Sequence, residues 1–168
     1  VKAVRVMLAP NNVQQTKMFQ YAGAARFAYN WALAKEKDNY EKGGKFISDS
    51  ELRKEFTRLR NSAEYAWLQN VSNNVTKQAI KDACIAYKNF FKNLQKHPRF
   101  KSKKKSTPKF YQDNIKIQFS DTHVKFEGFS SSRKANKQKL NWVRLAEHGR
   151  IPTDAKYMNP RISFDGLN

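Results

Sequence analysis

At Pro98 the chain changes period. Before it, from Val71 to about Leu94, apolar residues recur every three or four positions. Val71, Val75, Ala79, Ala83, Ala86 and Phe90 form one track, with Ile80, Cys84, Tyr87 and Phe91 beside it. The opposite track reads Asn73, Lys77, Lys81, Lys88 and Lys92. That spacing predicts a long amphipathic helix with a core face and a basic face, capped at its start by Ser72. After Pro98 the period falls to two. IKIQF (115–119), HVKF (123–126), NWVRL (141–145) and RISF (161–164) alternate like short strands between polar, turn-rich linkers. A chain with both patterns belongs to the α+β class.

The residues before the long helix extend this layout. VKAVRVML alternates as a strand does, with Val4 and Val6 on one face against Arg5 and Met7, and Pro10 ends it. Asn11 or Asn12 can cap a helix running to about Tyr21, which Gly23 interrupts. A second helix runs from about Ala24 to Lys42, with Phe27, Trp31 and Ala34 at helical spacing, and Gly43-Gly44 stop it. Two helices joined at a glycine-bearing turn have the look of a helix-turn-helix pair, as many helical hairpins do. A further helix spans Ser48 to Leu59, with Ser48 and Glu51 in capping-box spacing. The expected order is strand, about four helices, then about four strands. Val4 and Val6 could pair with the late strands, leaving the helical block inserted in a small β-barrel or sheet.

Charge narrows the partner. Thirty-three Lys and Arg against 14 acids give +19, and no acid occurs between Ala83 and Gln112. Lys88, Lys92, Lys96, Arg99, Lys101, Lys103, Lys104, Lys105 and Lys109 fall in that window. A second cluster, Arg133, Lys134, Lys137 and Lys139, lies in a Ser-rich segment. A single lysine is ordinarily a solvated surface residue. A run of this density without acids points to a polyanion, nucleic acid first and a membrane surface second. No run approaches the ~18 apolar residues of a spanning helix, and nothing resembles a signal peptide, so a soluble, cytoplasmic protein is expected. Cys84 is alone, which excludes an internal disulfide and suits a reducing compartment.

Four stretches carry a resemblance. ARFAYNWALAKEKDNYEKGGKF, WLQNVSNNVTKQAIKDACIAYKNFFKN, and then HPRFKSKKK with LNWVRL, in this order and spacing, closely resemble the N-terminal half of TnpB. TnpB, also called OrfB, is the insertion-sequence protein related to the smallest RuvC-type CRISPR effectors. The resemblance covers essentially the whole chain and is most specific over residues 65–101. It implies a helical recognition domain, residues 11–95, inserted into an oligonucleotide-binding-like β-barrel, the wedge domain. The barrel would comprise the first strand, residues 1–10, and residues 96–168. In the family these parts hold the guide RNA and the guide–target heteroduplex and read a short motif flanking the target DNA duplex. Base pairing reads the rest.

The family nuclease needs a RuvC fold with three acidic metal ligands and usually a zinc-binding cysteine ribbon. This chain ends at ISFDGLN, where family members continue, so RuvC and the ribbon are expected to be absent and the missing RuvC domain becomes a possible partner. Magnesium and zinc are accordingly expected only in such a C-terminal part, and no cofactor in this chain. His97, His123 and His148 offer no ligand spacing, Asp165 beside Gly166 suits a turn, and no converging carboxylates for a two-metal site are evident. The chain itself is expected not to cut DNA.

The resemblance assigns DNA contacts to Asn73, Asn74, Lys77 and Gln78, on the first turns of the long helix, where free amides favour phosphate and Asn or Gln can pair with adenine. An ordinary polar first turn reads the same way. Tyr111, Gln112 and Asn114 occupy the position of the family's DNA-facing wedge loop, although Asp113-Asn114 equally suits a β-turn. Phosphate contacts, with RNA preferred, are expected from Arg26, Lys81, Lys88, Lys92, Arg99, Lys101, Lys103, Lys104, Lys105 and Lys109. Arg26 could instead meet an internal acid, and Asn30, one turn on, a backbone group. Phe100 is either a base-stacking ring or an anchor, and Tyr87, Phe90, Phe91, Phe27, Trp31 and Trp67 are expected in the core. The competing reading is a stand-alone helix-turn-helix DNA-binding regulator or transposition accessory that works without guide RNA.

Overall fold

The computed structural model describes residues 2–130 and 139–165. Arg133, Lys134 and Lys137 of the second basic cluster lie outside the described residues. Among the described residues, three α-helices, α1 (Asn12–Glu41), α2 (Asp49–Arg60) and α3 (Asn73–Phe91), precede five short strands. The strands are β1 (Lys109–Tyr111), β2 (Gln118–Phe119), β3 (His123–Lys125), β4 (Trp142–Arg144) and β5 (Arg161–Ser163). The α+β class is as expected, with two small sheets, β2-β3-β4 and β1-β5. The chain divides into two compact units, residues 1–20 with 112–161, and residues 21–111 with 162–168.

The first unit is built on a meander. β3 pairs antiparallel with β2 and β4, and the register sets Val124 against Val143 and Phe119 against Val124. Val124, Phe126, Phe129, Val143 and Leu145 are buried, and the Phe126 and Phe129 rings stack at 5.2 Å. The opening segment is not the strand its alternation predicts. It makes one antiparallel bridge, Leu8 to Leu145, with Ala9 N donating to Arg144 O at 2.8 Å. Val4 and Met7 stay exposed, and Pro10 brings no amide hydrogen to prolong the ladder. IKIQF shrinks likewise to β2. Asp113 Oδ1 accepts from Ile115 N at 3.0 Å, and this Asx turn takes the first half of the stretch out of the sheet.

The start of α1 is fixed within this unit by a reciprocal cap. Asn11 Oδ1 accepts from Gln14 N at 2.9 Å, while Asn11 N donates to Gln14 Oε1 at 3.0 Å. The buried Gln14 amide then donates to Leu140 O and Trp142 O, at 3.1 and 2.9 Å, joining the helix start to β4.

The second unit corrects the expected helix count. α1 runs unbroken through Gly23, so the two helices and the turn between them are one 30-residue helix. A glycine inside a helix costs about 1 kcal/mol relative to alanine, and burial can override a penalty of that size. Here Tyr21, Ala22, Ala24, Ala25, Ala28, Tyr29, Ala32 and Leu33 are all buried. The helix ends where Gly43-Gly44 predict. Gly43 takes φ +71°, its N donates to Tyr40 O, and Gly44 N donates to Asn39 O. These are the two bonds of a Schellman motif.

α2 and α3 begin at the expected caps. Ser48 Oγ accepts from Glu51 N at 3.2 Å, and Ser72 Oγ from Asn74 N at 3.3 Å. Leu52 and Phe56 of α2 and Val75, Ala79, Ile80, Ala83, Cys84 and Tyr87 of α3 supply the core. Tyr21 meets Phe110 edge-on at 5.5 Å, which gives β1 a buried anchor in this unit. A second Schellman motif closes α3: Asn93 (φ +57°) donates to Phe90 O and Leu94 N to Asn89 O. Residues 96–111 belong to this unit with the helices. Among the described residues no helix is long and apolar enough to cross a membrane.

Candidate nucleic-acid interface

The basic track of α3 keeps to one side of the helix. Lys77, Lys81, Lys88 and Lys92 are exposed, at spacings of four, seven and four residues. None of them forms an ion pair with a described residue. At the helix start, Asn73, Asn74 and Gln78 are half-buried. Gln78 Nε2 donates to Asp82 Oδ1 at 2.9 Å, so its amide is partly occupied within the helix.

Past Pro98 the chain is held against α1 by Asn30. Its Nδ2 donates to Lys101 O at 2.7 Å, and its Oδ1 accepts from Lys101 N at 2.8 Å. Asn30 thus satisfies a backbone group, one turn beyond the half-buried Arg26. The Lys101 ammonium lies 3.9 Å from the Tyr29 ring centre, a cation–π contact that commits it within the fold. Burial, assisted by Asp82, pushes the Tyr29 hydroxyl above its ordinary pKa.

From Lys101 the chain enters a tight turn. Ser106 N donates to Ser102 O at 2.9 Å, Lys105 N to Ser102 Oγ at 3.2 Å, and Ser102 N to Ser106 Oγ at 3.1 Å. This turn holds Lys103, Lys104 and Lys105 out in solvent on an ordered backbone. Arg99 and Lys109 are exposed on either side, and none of these five cations pairs with a described acid. Phe100 is half-exposed beneath Lys37, whose ammonium lies 5.9 Å from the ring centre.

In the first unit, Gln112 is buried. Its Oε1 accepts from Glu127 N at 3.2 Å and its Nε2 donates toward Asp113 O at 3.4 Å. That amide is a structural clamp between the loop after β1 and the chain after β3. Asn114 is half-buried in the Asx turn beside it, and Tyr111 is half-buried at the end of β1 in the other unit.

Two expectations for the aromatic residues are corrected. Trp67 and Phe91 are not core: they are 46% and 43% exposed, at the margins of separate ring clusters. Trp67 packs on Phe27 at 5.4 Å, with Tyr65 and Phe56 around the same ring, and Phe27 and Trp31 are only half-buried. Phe91 meets Tyr40 at 5.5 Å, and Tyr40 is itself half-exposed. The clue in the sequence was the alternation of Phe90-Phe91 with Lys88 and Lys92, which puts cations at the rim of the apolar track.

Beneath this surface lies a buried carboxyl. Glu36 Oε2 accepts from Ile47 N at 3.3 Å, and Oε1 accepts from Cys84 Sγ at 3.8 Å. Burial raises the Glu36 pKa, against the lowering effect of the Ile47 and Cys84 hydrogen bonds. Burial first, then Glu36 and Asp49, push the Cys84 thiol up to about 12, so it is a small core residue without nucleophilic character. Among the described residues no three His, Cys, Asp or Glu side chains gather as a metal site would require.

Exposed cations without an ion-pair partner among the described residues, on one helix face and one ordered turn, make a surface suited to a polyanion. Residues 1–45 match a family model described as a helix-turn-helix domain, that of the OrfB proteins of the IS605 group. The chain is 29% identical over 143 residues to the Escherichia coli K12 protein named "Putative RNA-guided DNA endonuclease InsQ", covering 85% of this chain and 36% of that protein. It is also 29% identical over 105 residues to a Streptomyces pristinaespiralis protein named "Putative RNA-guided DNA endonuclease", covering 62% of this chain and 26% of the relative. The chain therefore spans about a third of these relatives or less. Together the matches bear out the resemblance to the N-terminal region of TnpB/OrfB-family proteins. The matched domain carries the name helix-turn-helix, and in this chain its residues 12–41 are a single helix.

Proposed function

We propose that this region holds nucleic acid for a TnpB-like RNA-guided DNA endonuclease, binding guide RNA and the guide–target heteroduplex and reading the DNA motif beside the target. One observation carries the reading: the acid-free segment from Ala83 to Gln112 keeps its exposed cations out of ion pairs with any described residue and orders three of them on a hydrogen-bonded turn. Lys81, Lys88, Lys92, Arg99, Lys103, Lys104, Lys105 and Lys109 are then phosphate contacts, with Arg26 beside them. They add affinity without sequence choice, and base pairing supplies the sequence. Lys101 acts inside the fold through Tyr29. Asn73, Asn74, Lys77 and Gln78 at the start of α3, with Tyr111 and Asn114, are the proposed readers of flanking DNA. Gln112 supports that loop from within.

The wedge-type barrel around inserted helices belongs to the same proposal, as does action in the cytoplasm. The chain's own part is binding rather than cutting, and the magnesium and zinc of the family nuclease have no proposed ligands here. The competing reading, a helix-turn-helix DNA regulator that needs no RNA, draws on the name of the matched domain. Purification from cells at low salt separates the two. The proposal expects co-purifying RNA, seen as excess absorbance at 260 nm that ribonuclease removes. Protein free of RNA that still binds DNA would favour the regulator.

A further inference from the structure

The ends of α1 and α3 carry a ring cluster that the core does not absorb. Phe91 packs against Tyr40 at 5.5 Å with the planes tilted by 44°, and against Phe46 edge-on at 6.2 Å. Tyr40 is 50% exposed and Phe91 43%. Leu94, where a Schellman motif usually tucks an apolar side chain back onto its helix, is 72% exposed. The cluster sits on an ordered floor. Tyr87 is fully buried, its ring 5.8 Å from Phe91, and its hydroxyl is 3.2 Å from His97 Nε2. His97 Nδ1 lies 2.9 Å from Pro98 O, which can only accept. In the neutral ring Nδ1–H therefore donates to Pro98, and Nε2 accepts from Tyr87.

The rim of the cluster is cationic. The Lys88 ammonium lies 5.3 Å from the Phe46 ring centre, and Lys92 and Lys96 are exposed without an ion-pair partner among the described residues. The acids nearest in sequence to Tyr40, Asp38 and Glu41, pair with Lys42 and Lys37. An apolar protein partner laid over these rings would strand Lys88 and Lys92 away from water without counter-charges, at considerable cost. A nucleic-acid duplex hides its base faces. An unpaired strand offers both what the rings need and what the lysines need.

We infer that Tyr40, Phe46 and Phe91, rimmed by Lys88 and Lys92, form a stacking site for unpaired bases of single-stranded nucleic acid. This rests on the nucleic-acid reading above and adds a ligand class and a location to it.

The test is fluorescence anisotropy with four labelled probes: a single-stranded RNA, the corresponding DNA strand, its duplex, and an abasic DNA strand of equal length. The RNA and DNA strands distinguish the two sources of the same chemistry. Stacking is expected to make the base-bearing strand bind more tightly than the abasic one. Phe91→Leu and Tyr40→Leu, which keep apolar bulk but lose the ring, are each expected to weaken strand binding about 5- to 100-fold, the range of one lost base stack. Duplex binding and the slope of affinity against salt should hold, and Phe91→Trp should restore the strand. Equal affinity for base-bearing and abasic strands would overturn the inference. So would variants, verified as folded by circular dichroism, that lose strand and duplex binding in equal proportion. Wild-type protein that binds no probe at low salt would instead remove the nucleic-acid reading itself, and this inference with it.

Discussion

Glu36 shows how single residues in this protein divide between holding the fold and meeting a ligand. Its carboxyl is buried between Ile47 N and the Cys84 thiol, and Lys88 of the basic track contributes only the smallest of the influences on its pKa. Because folding raises the pKa, the folded state binds the Glu36 proton more tightly than the unfolded state does. Stability from this group is therefore full below the ordinary glutamate pKa and falls as pH rises towards the raised folded value. Glu36→Gln keeps an oxygen for Ile47 N and has no charge to bury. Urea unfolding across pH should show the variant gaining on the wild type between mildly acidic and neutral pH. A stability difference independent of pH, or a variant that loses ground to the wild type as pH rises, would mean that the ionised carboxylate is not disfavoured in the fold. Gln112 and Lys101 make the same point from the side of the site. Both suit nucleic acid by type, and both are engaged internally, with Glu127 and Tyr29 respectively.

Among the elements, α1 departs most from its sequence. Gly23 lies in mid-helix, and a Cβ added there would meet nothing within 4 Å. Gly23→Ala should therefore raise stability by about 0.5–1 kcal/mol, measured as the shift in urea midpoint at unchanged slope. In a two-helix arrangement with Gly23 at a left-handed turn, the same substitution would destabilise, so its sign tests the continuous helix directly. Gln14 invites a second measurement. Gln14→Ala removes half of the cap on α1 and both side-chain bonds to the Leu140 and Trp142 carbonyls, and a loss of about 2–3 kcal/mol is expected from the same unfolding experiment.

The elements also show what was legible and why. Ser48, Ser72 and Gly43-Gly44 mark helix ends through bonds made within a few residues, so their positions could be read locally. The break at Gly23 was misread because a local penalty of about 1 kcal/mol yields to a buried alanine face that only tertiary packing creates. β1 was missed because Lys109–Tyr111 is too short to show alternation, and its anchor is Tyr21, far away in the chain. The opening segment was over-read because alternation shows that a strand could form, not that an unpaired edge awaits it. The cations were legible as a group from composition alone. Which of them are committed within the fold depends on distant partners, and Phe91 looked like core because period does not reveal where a helix face runs out of neighbours.

For the molecule as a whole, the central claim is that the acid-free basic segment contacts nucleic-acid phosphates. Lys103, Lys104 and Lys105 are the cleanest handle, since all three are exposed and make no ion pair with a described residue, and Ser102 and Ser106 hold the turn through their own side chains and backbone. Replacing the three by Gln should leave the circular dichroism spectrum and urea midpoint close to wild type. The deciding measurement is the dependence of RNA affinity on salt for the wild type and this triple variant. The account predicts weaker binding and a log–log slope shallower by about 2, the counterions no longer released by three lost phosphate contacts. A folded variant with unchanged affinity and slope would contradict it.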